Sequence, residues 1–202
     1  QQMIDHLGAD HSRISCGNSD IAQAFAQAIW HTEAPVLRTA PVPMMLLSGL
    51  VRSQGYKVVL TGEGSDEVLG GYDIFKEAKI RHFWAKNPNS AFRPRLLKRL
   101  YPYLDLSQAQ AQVYLQNFFG AALDQPNVPH FSHIPRWTTT ARCKEFFSEP
   151  LKAHLRDNAL EAMRQSFPSA LDRWHPFHRA QYIEVKSLMA GYLLCSQGDR
   201  ML

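Results

Sequence analysis

KVVLTGEGSDEVLGGY, residues 57–72, joins a valine-rich apolar run to a loop that holds both glycines and acids. The run before Thr61 is short and continuous, which predicts a strand buried on both faces of a parallel sheet. In an open α/β sheet, ligands gather beyond the carboxyl ends of such strands, and GEGSDE occupies that place. Gly62 and Gly64 permit a tight turn and let main-chain N–H groups approach a ligand with no Cβ in the way. Ser65 or Asp66 then caps a short helix whose positive end faces the same ligand. The backbone therefore favours an anion.

The side chains oppose an anion unless a cation intervenes. Two or three carboxylates beside a triphosphate would repel it by several kcal/mol in a partly buried site. Magnesium removes the conflict, because it binds through one or two carboxylates and takes phosphate oxygens and waters as its other ligands. Asp66 is then the metal-side carboxylate. Glu63, set between two glycines, is placed to orient an amine or take its proton. A plainer reading stands beside this one: Ser65 and Asp66 simply cap a helix that Gly70 and Gly71 end. G-x-x-x-x-G-K-[ST] has no match in the chain, and Glu67 stands where a dinucleotide fingerprint needs Gly or Ala.

Outward from the loop, QQMIDHLGADHSRISC predicts the end of a helix closed by Gly8 and a short strand at 12–16. Asn18, Ser19 or Asp20 caps a helix carrying Ile21, Phe25 and Ile29, and a proline-marked loop leads into MMLLSGLVRSQ, which Gly55 ends. After Tyr72 the punctuation is helical. Ser107 opens one helix that Gly120 stops, Ser148 with Pro150 opens another over 151–167, and Pro176 a third. Residues 125–140, with three prolines, read as a long loop. FKEAKIRHFWAKNP is expected to bury Phe75, Ala78, His82 and Phe83 while its cations face water.

The 202 residues are 45% hydrophobic, enough for one core or a core with a smaller lobe, and no apolar run approaches membrane-spanning length. The chain starts at Gln1 without a leader-like segment and reads as a piece of a longer polypeptide. Cys16, Cys143 and Cys195 are odd in number and widely spaced, which points to a reducing cytoplasm. Eight Lys or Arg residues between Lys76 and Arg99 face one acid, Glu77, but no nucleic-acid motif accompanies them, so nucleic acid is not the expected partner. His130-x-x-His133 and His175-x-x-His178 lack a third ligand in sequence and read as satisfied or surface histidines.

VVLTGEGSDEVLGGYDIF resembles the S-G-E-G-S-D-E-x-x-G-G-Y segment of the synthetase domain of glutamine-hydrolysing asparagine synthetases. HLGADHSRI is similar to that family's H-L-G-x-x-H segment, and TEAPVLRTAPVPMMLLSGLVRSQGYK to the stretch leading into the strand. Similarity runs from Ile4 to Lys86 and returns weakly at LLCSQGDRM. The resemblance implies a PP-loop ATP pyrophosphatase fold: an α/β parallel sheet, here partial, over 1–73, and a mostly helical lobe over 74–202. It also implies ATP and Mg2+, adenylation of an aspartate carboxylate, release of pyrophosphate, and displacement of AMP by ammonia. The ammonia would come from glutamine, hydrolysed by an N-terminal glutaminase domain in the parent chain; the parent would be a soluble cytoplasmic enzyme, possible as a homodimer.

Carried over by position, Thr61, Gly62, Gly64 and Ser65 fall to the nucleotide, Glu63 to the acyl-adenylate and ammonia step, and Asp66 to magnesium and pyrophosphate. Arg38 falls to the amino-acid carboxylate, which a guanidinium holds with two parallel hydrogen bonds. Asp199 and Arg200 match a late D-R-M element. Pro35 and Val36 stand where some family members carry threonines, so another carboxylate is open as substrate. The resemblance places an S-G-G-x-D-S loop upstream of Gln1 and a catalytic lysine region downstream of Leu202. A β-lactam-forming or peptide-modifying relative, and a non-catalytic basic helical module, remain as alternatives.

Overall fold

The computed structural model describes residues 2–101, 109–155, 159–198, 200 and 201. Among them there is no strand, which overturns the expected parallel-sheet α/β fold. Residues 56–62 have no regular structure and join no ladder, and Val58 and Leu60 stand 78% and 96% exposed. Residues 12–16 are equally without regular structure. The physical reason is that a valine run supplies only a preference for extension. A strand exists when a neighbour receives its N–H and C=O groups.

Helices therefore carry the architecture, in two compact units: residues 1–64 with 186–202, and residues 65–185. In the first, α1 (Gln2–Leu7) closes at Gly8, whose φ of +59° is left-handed. Helix α2 (Asn18–Thr32) starts after Gly17, whose N–H donates to Asp20 Oδ2 at 2.8 Å. Helix α3 (Pro41–Ser53) opens on a proline, whose missing N–H is harmless in a first turn. Ala28 and Val42 are fully buried in this unit. The Ser48 hydroxyl donates to Met201 O, and Arg200 pairs with Glu33, whose φ is +50°.

The second unit begins with α4 (Ser65–Leu69) and α5 (Asp73–Ala85), followed by a 3-10 turn at Arg93–Arg99 and α6 (Ala109–Phe119). The expected start of α6 at Ser107 lies outside the described residues. Trp84, Leu97, Leu100, Leu115, Phe119 and Phe131 form the main core. Helix α7 (Ile134–Ala141) takes up the last part of the stretch expected as loop and runs one residue past it. Pro135 sits in its first turn, where proline begins a helix rather than breaking one. The helix expected over 151–167 is described as α8 (Glu149–His154) and α9 (Ala159–Gln165), with 156–158 outside the described residues. Helix α10 (Pro176–Ile183) leads into a π-helical segment, Glu184–Leu193, and α11 (Leu194–Gln197) returns to the first unit.

The cations of α5 do not all face water. Arg81 is fully buried, donating through Nε to Phe119 O at 2.9 Å, through Nη2 to Ala121 O at 2.6 Å and through Nη1 to Phe131 O. Its guanidinium also lies 3.9 Å from the Phe131 ring centroid. Burial lowers its pKa to about 10, with Glu77 opposing that shift and Arg136 adding to it. Glu77, also buried, accepts from both Arg136 and Tyr101, so each charge here has partners.

Beside Arg81 in sequence sits His82, whose pKa is pushed down to about 4 by burial first, then by the positive charges of Arg81, Arg179 and His175. Burial likewise lowers His130, helped by Arg164 and His133. A histidine whose folded pKa lies below its unfolded value of 6.5 favours the neutral fold. Its stabilisation is present above that value and is lost as pH falls towards 4. Thermal midpoints should therefore fall through this acid window, and His82→Phe should flatten part of the slope. A midpoint unchanged between neutral pH and pH 4 would contradict a half-buried His82 and a buried His130 held neutral.

Candidate functional site

The glycine loop divides between the two units after Gly64. In the first, Thr61, Gly62 and Glu63 are exposed, and the Glu63 N–H donates to Thr61 Oγ1 at 3.4 Å. Gly64 has φ +89°, open to glycine but strained for any L side chain, and a Cβ there would lie 3.2 Å from Met189 Sδ. Arg38 belongs to the same unit but stands exposed on the loop ahead of α3. That loop is tied down by the Leu37 N–H, which donates to the Tyr192 hydroxyl at 3.3 Å. Arg200 pairs with Glu33 on the same loop, while Asp199 lies outside the described residues. A cavity of about 570 Å³ runs beside Ser48, Arg52, Tyr56, Lys57 and Val59, ahead of the acids rather than among them.

In the second unit, Ser65 and Asp66 occupy the exposed first turn of α4. The five residues of this helix cannot sustain it alone, since nucleating a turn costs more than it returns. Two glycines at its carboxyl end fix its shape. The Gly71 N–H donates to Asp66 O at 2.9 Å, and Gly70 adopts φ +73°. A Cβ at Gly71 would collide with Asp66 Oδ1, so the carboxylate lies folded over a bare glycine. A Cβ at Gly70 would meet Phe177 Cζ at 2.7 Å, so this turn rests directly on an aromatic ring.

Glu67, next in sequence, points the other way. It is 0% exposed, Oε1 accepts from the Tyr72 hydroxyl at 2.9 Å, and Oε2 has no hydrogen-bond partner among the described residues. Burial raises the Tyr72 pKa, with further rise from the Glu67 hydrogen bond and from the charges of Glu67, Asp66 and Glu184. The phenol is thereby kept as a donor. The sequence grouped Glu67 with Glu63 and Asp66 as loop acids and as a fingerprint mismatch, but it is buried; its position one residue from Asp66 on a helix, hence about 100° around it, was the available signal.

A second polar chain is buried in this unit. Ser132 Oγ lies 2.8 Å from His133 Nδ1, and His133 Nε2 lies 3.1 Å from Glu184 Oε1. The order serine, imidazole, carboxylate is that of an activated nucleophile. All three are buried, however, and the cavity beside Trp84 and Gly120 does not include them, so the geometry serves packing. The pair His175 and His178 is likewise explained without a metal: His175 Nδ1 accepts the Phe177 N–H at 3.2 Å and caps α10.

The donors offered to a cation are consequently few. Among the described residues no group of three His, Cys, Asp or Glu converges as a metal site. An exposed Asp66 carboxylate nevertheless suits magnesium, a hard cation that needs one or two protein carboxylates when phosphate supplies the rest. Among the described residues no helix is long and apolar enough to cross a membrane.

Comparison with known proteins places this loop in context. The asparagine synthase family model matches residues 1–202. Amidase chyE of Penicillium rubens is 28% identical over 96% of this chain and 30% of its own length. Amidase chry2 of Gibberella zeae is 25% identical over 100% of the chain and 30% of its own length. Asparagine synthetase B of Escherichia coli, named as glutamine-hydrolysing, is 40% identical over 39% of the chain and 14% of its own length. The chain thus spans under a third of the length of these relatives. No solved structure matches it. With the family model covering every residue from Gln1 to Leu202, this chain belongs to the asparagine synthase family.

Proposed function

We propose that this chain is part of an ATP-dependent amide-forming ligase, and that Asp66, Glu63 and Arg38 divide the work. The observation that supports the reading best is the exposed Asp66 carboxylate, set on a turn of two glycines and braced from below, within a family match over the whole chain. Magnesium bound at Asp66 would neutralise the phosphate charge that the loop's carboxylates otherwise repel. Arg38 holds a substrate carboxylate by paired hydrogen bonds. The substrate's reacting carboxylate oxygen bonds to the α-phosphorus of ATP and pyrophosphate leaves. Thr61, Gly62, Gly64 and Ser65 line the nucleotide side. Ammonia then bonds to the acyl carbon, AMP departs with the bonding pair, and Glu63 takes the proton that nitrogen sheds. A glutaminase domain in the parent chain supplies the ammonia, and a cytoplasmic, homodimeric parent completes the proposal.

A second reading has its own support. The relatives named amidases align along nearly the whole chain, whereas the asparagine synthetase alignment covers 39% of it. Pro35 and Val36 also offer no hydroxyl to an amino acid near Arg38. A carboxylate other than aspartate is then the substrate, as in a specialised amide synthetase. Pyrophosphate exchange into ATP, measured on the full-length protein with aspartate and with other carboxylates, separates the two. Glu63→Gln should retain that exchange and slow amide formation by about a hundredfold or more, the range of a general base. Equal loss of both steps would contradict the division of labour, and no exchange with any carboxylate would sink the ligase reading.

A further inference from the structure

We infer that Gln181 and His178, on α10, are positioning residues for Asp66; the inference deepens the ligase reading and rests on it for its catalytic meaning. The last carbonyls of any helix lack intrahelical donors. In α4 two of these, Glu67 O and Val68 O, accept from Gln181 Nε2 at 3.1 and 2.7 Å. One carboxamide nitrogen therefore caps the end of the helix whose first turn carries Asp66.

The direction of that carboxamide is itself set. Gln181 Oε1 lies 2.9 Å from His178 Nδ1, one helical turn earlier. An amide oxygen only accepts, so the imidazole carries its hydrogen on Nδ1, and the amide nitrogen is turned towards α4. Below, Phe177 of the same helix meets Gly70, and its own N–H is capped by His175. Two contacts thus pass from α10 to the α4 turn, ring under Gly70 and amide onto the α4 carbonyls, and a third within α10, imidazole onto the amide, sets the second. The orientation of a five-residue helix is imposed from outside it. Loss of the Gln181 donors would free the α4 end, let the Gly71 to Asp66 bond open, and spread the carboxylate over many directions.

The test pairs a structural readout with a kinetic one in the full-length protein. Gln181→Met keeps size and removes the donor; His178→Ala removes the orienting group, and His178→Asn restores a donor in the place of Nδ1. In Gln181→Met, amide hydrogen exchange over 66–71 should accelerate about tenfold, as expected for losing hydrogen bonds of ordinary strength, with α5 and α6 unchanged. His178→Ala should show a smaller acceleration that His178→Asn reverses. The magnesium concentration giving half-maximal pyrophosphate exchange should rise about three- to tenfold in Gln181→Met, while the maximal rate stays within about twofold. Hydrogen exchange over 66–71 equal to the wild type overturns the inference, whether or not the protein is a ligase. So does an acceleration spread evenly over α5 and α6, which marks a general packing role. An inactive wild type removes the ligase reading alone, and the exchange data still decide whether α10 orients Asp66.

Discussion

Asp66→Asn is expected to depress magnesium-dependent pyrophosphate exchange by at least about a hundredfold. Loss of an outer partner of a metal ligand typically costs about ten- to a hundredfold, and the ligand itself should cost no less. Each tenfold corresponds to about 1.4 kcal/mol, so the expected loss is about 3 kcal/mol of transition-state stabilisation. Asparagine keeps the shape and removes the charge, which isolates electrostatics from packing. Asp66 is exposed, so its thermal midpoint should barely move. Gly71→Ala is the complementary experiment: it keeps the charge and displaces the carboxylate, because its Cβ would occupy the place of Asp66 Oδ1. Its rate should fall between the wild type and Asp66→Asn. Wild-type exchange in Asp66→Asn at limiting magnesium would remove this residue from the chemistry.

The largest expected effect on stability is at Arg81. Arg81→Met would leave the carbonyls of Phe119, Ala121 and Phe131 without their donor in the interior. A buried polar group stranded in this way costs about 1–3 kcal/mol, and breaking a buried charged network costs about 3–5 kcal/mol in all. The total conformational stability of a domain is only about 5–15 kcal/mol. A fall of roughly 10 °C in the thermal midpoint is then expected at this chain length. Arg81→Lys should recover little, since one ammonium cannot reach three separate carbonyls with the fork of a guanidinium. Near-ultraviolet circular dichroism, which reports the buried Trp84, would track the loss; an unaltered melting curve for Arg81→Met would show that the carbonyls find other donors.

Helix punctuation was largely legible in the sequence, because it is local. Gly8 closes α1, Gly55 with φ +84° follows the end of α3, and Ser148 caps α8 through the Leu151 N–H, each acting within one turn, whereas Pro41, expected in the preceding loop, opens α3. Pairing and burial depend on distant partners and were not. The valines before Thr61 prefer extension, yet no short-range pattern states whether a second strand lies beside them. On α5 the buried positions 74, 77, 78 and 81 keep helical spacing, so Glu77 and Arg81 already lay on the apolar stripe with Ile74 and Ala78. Charge outvoted period, since the groups that make burial tolerable, Arg136, Tyr101 and carbonyls beyond residue 118, come much later in the chain. In the loop, residue types showed only that acids and glycines alternate. That Glu67 turns inward, and that Gln181 of α10 meets the α4 carbonyls, required coordinates.

Asp66 and Glu67 are consecutive acids with opposite fates, one lying on a turn open to water and the other sealed beneath a phenol. A scan that scored only growth or product would mark both as essential and treat them as one acidic motif. Scored for abundance as well, the pair would separate: variants at 67 would vanish from the cell as unfolded chains, whereas variants at 66 would accumulate intact and idle.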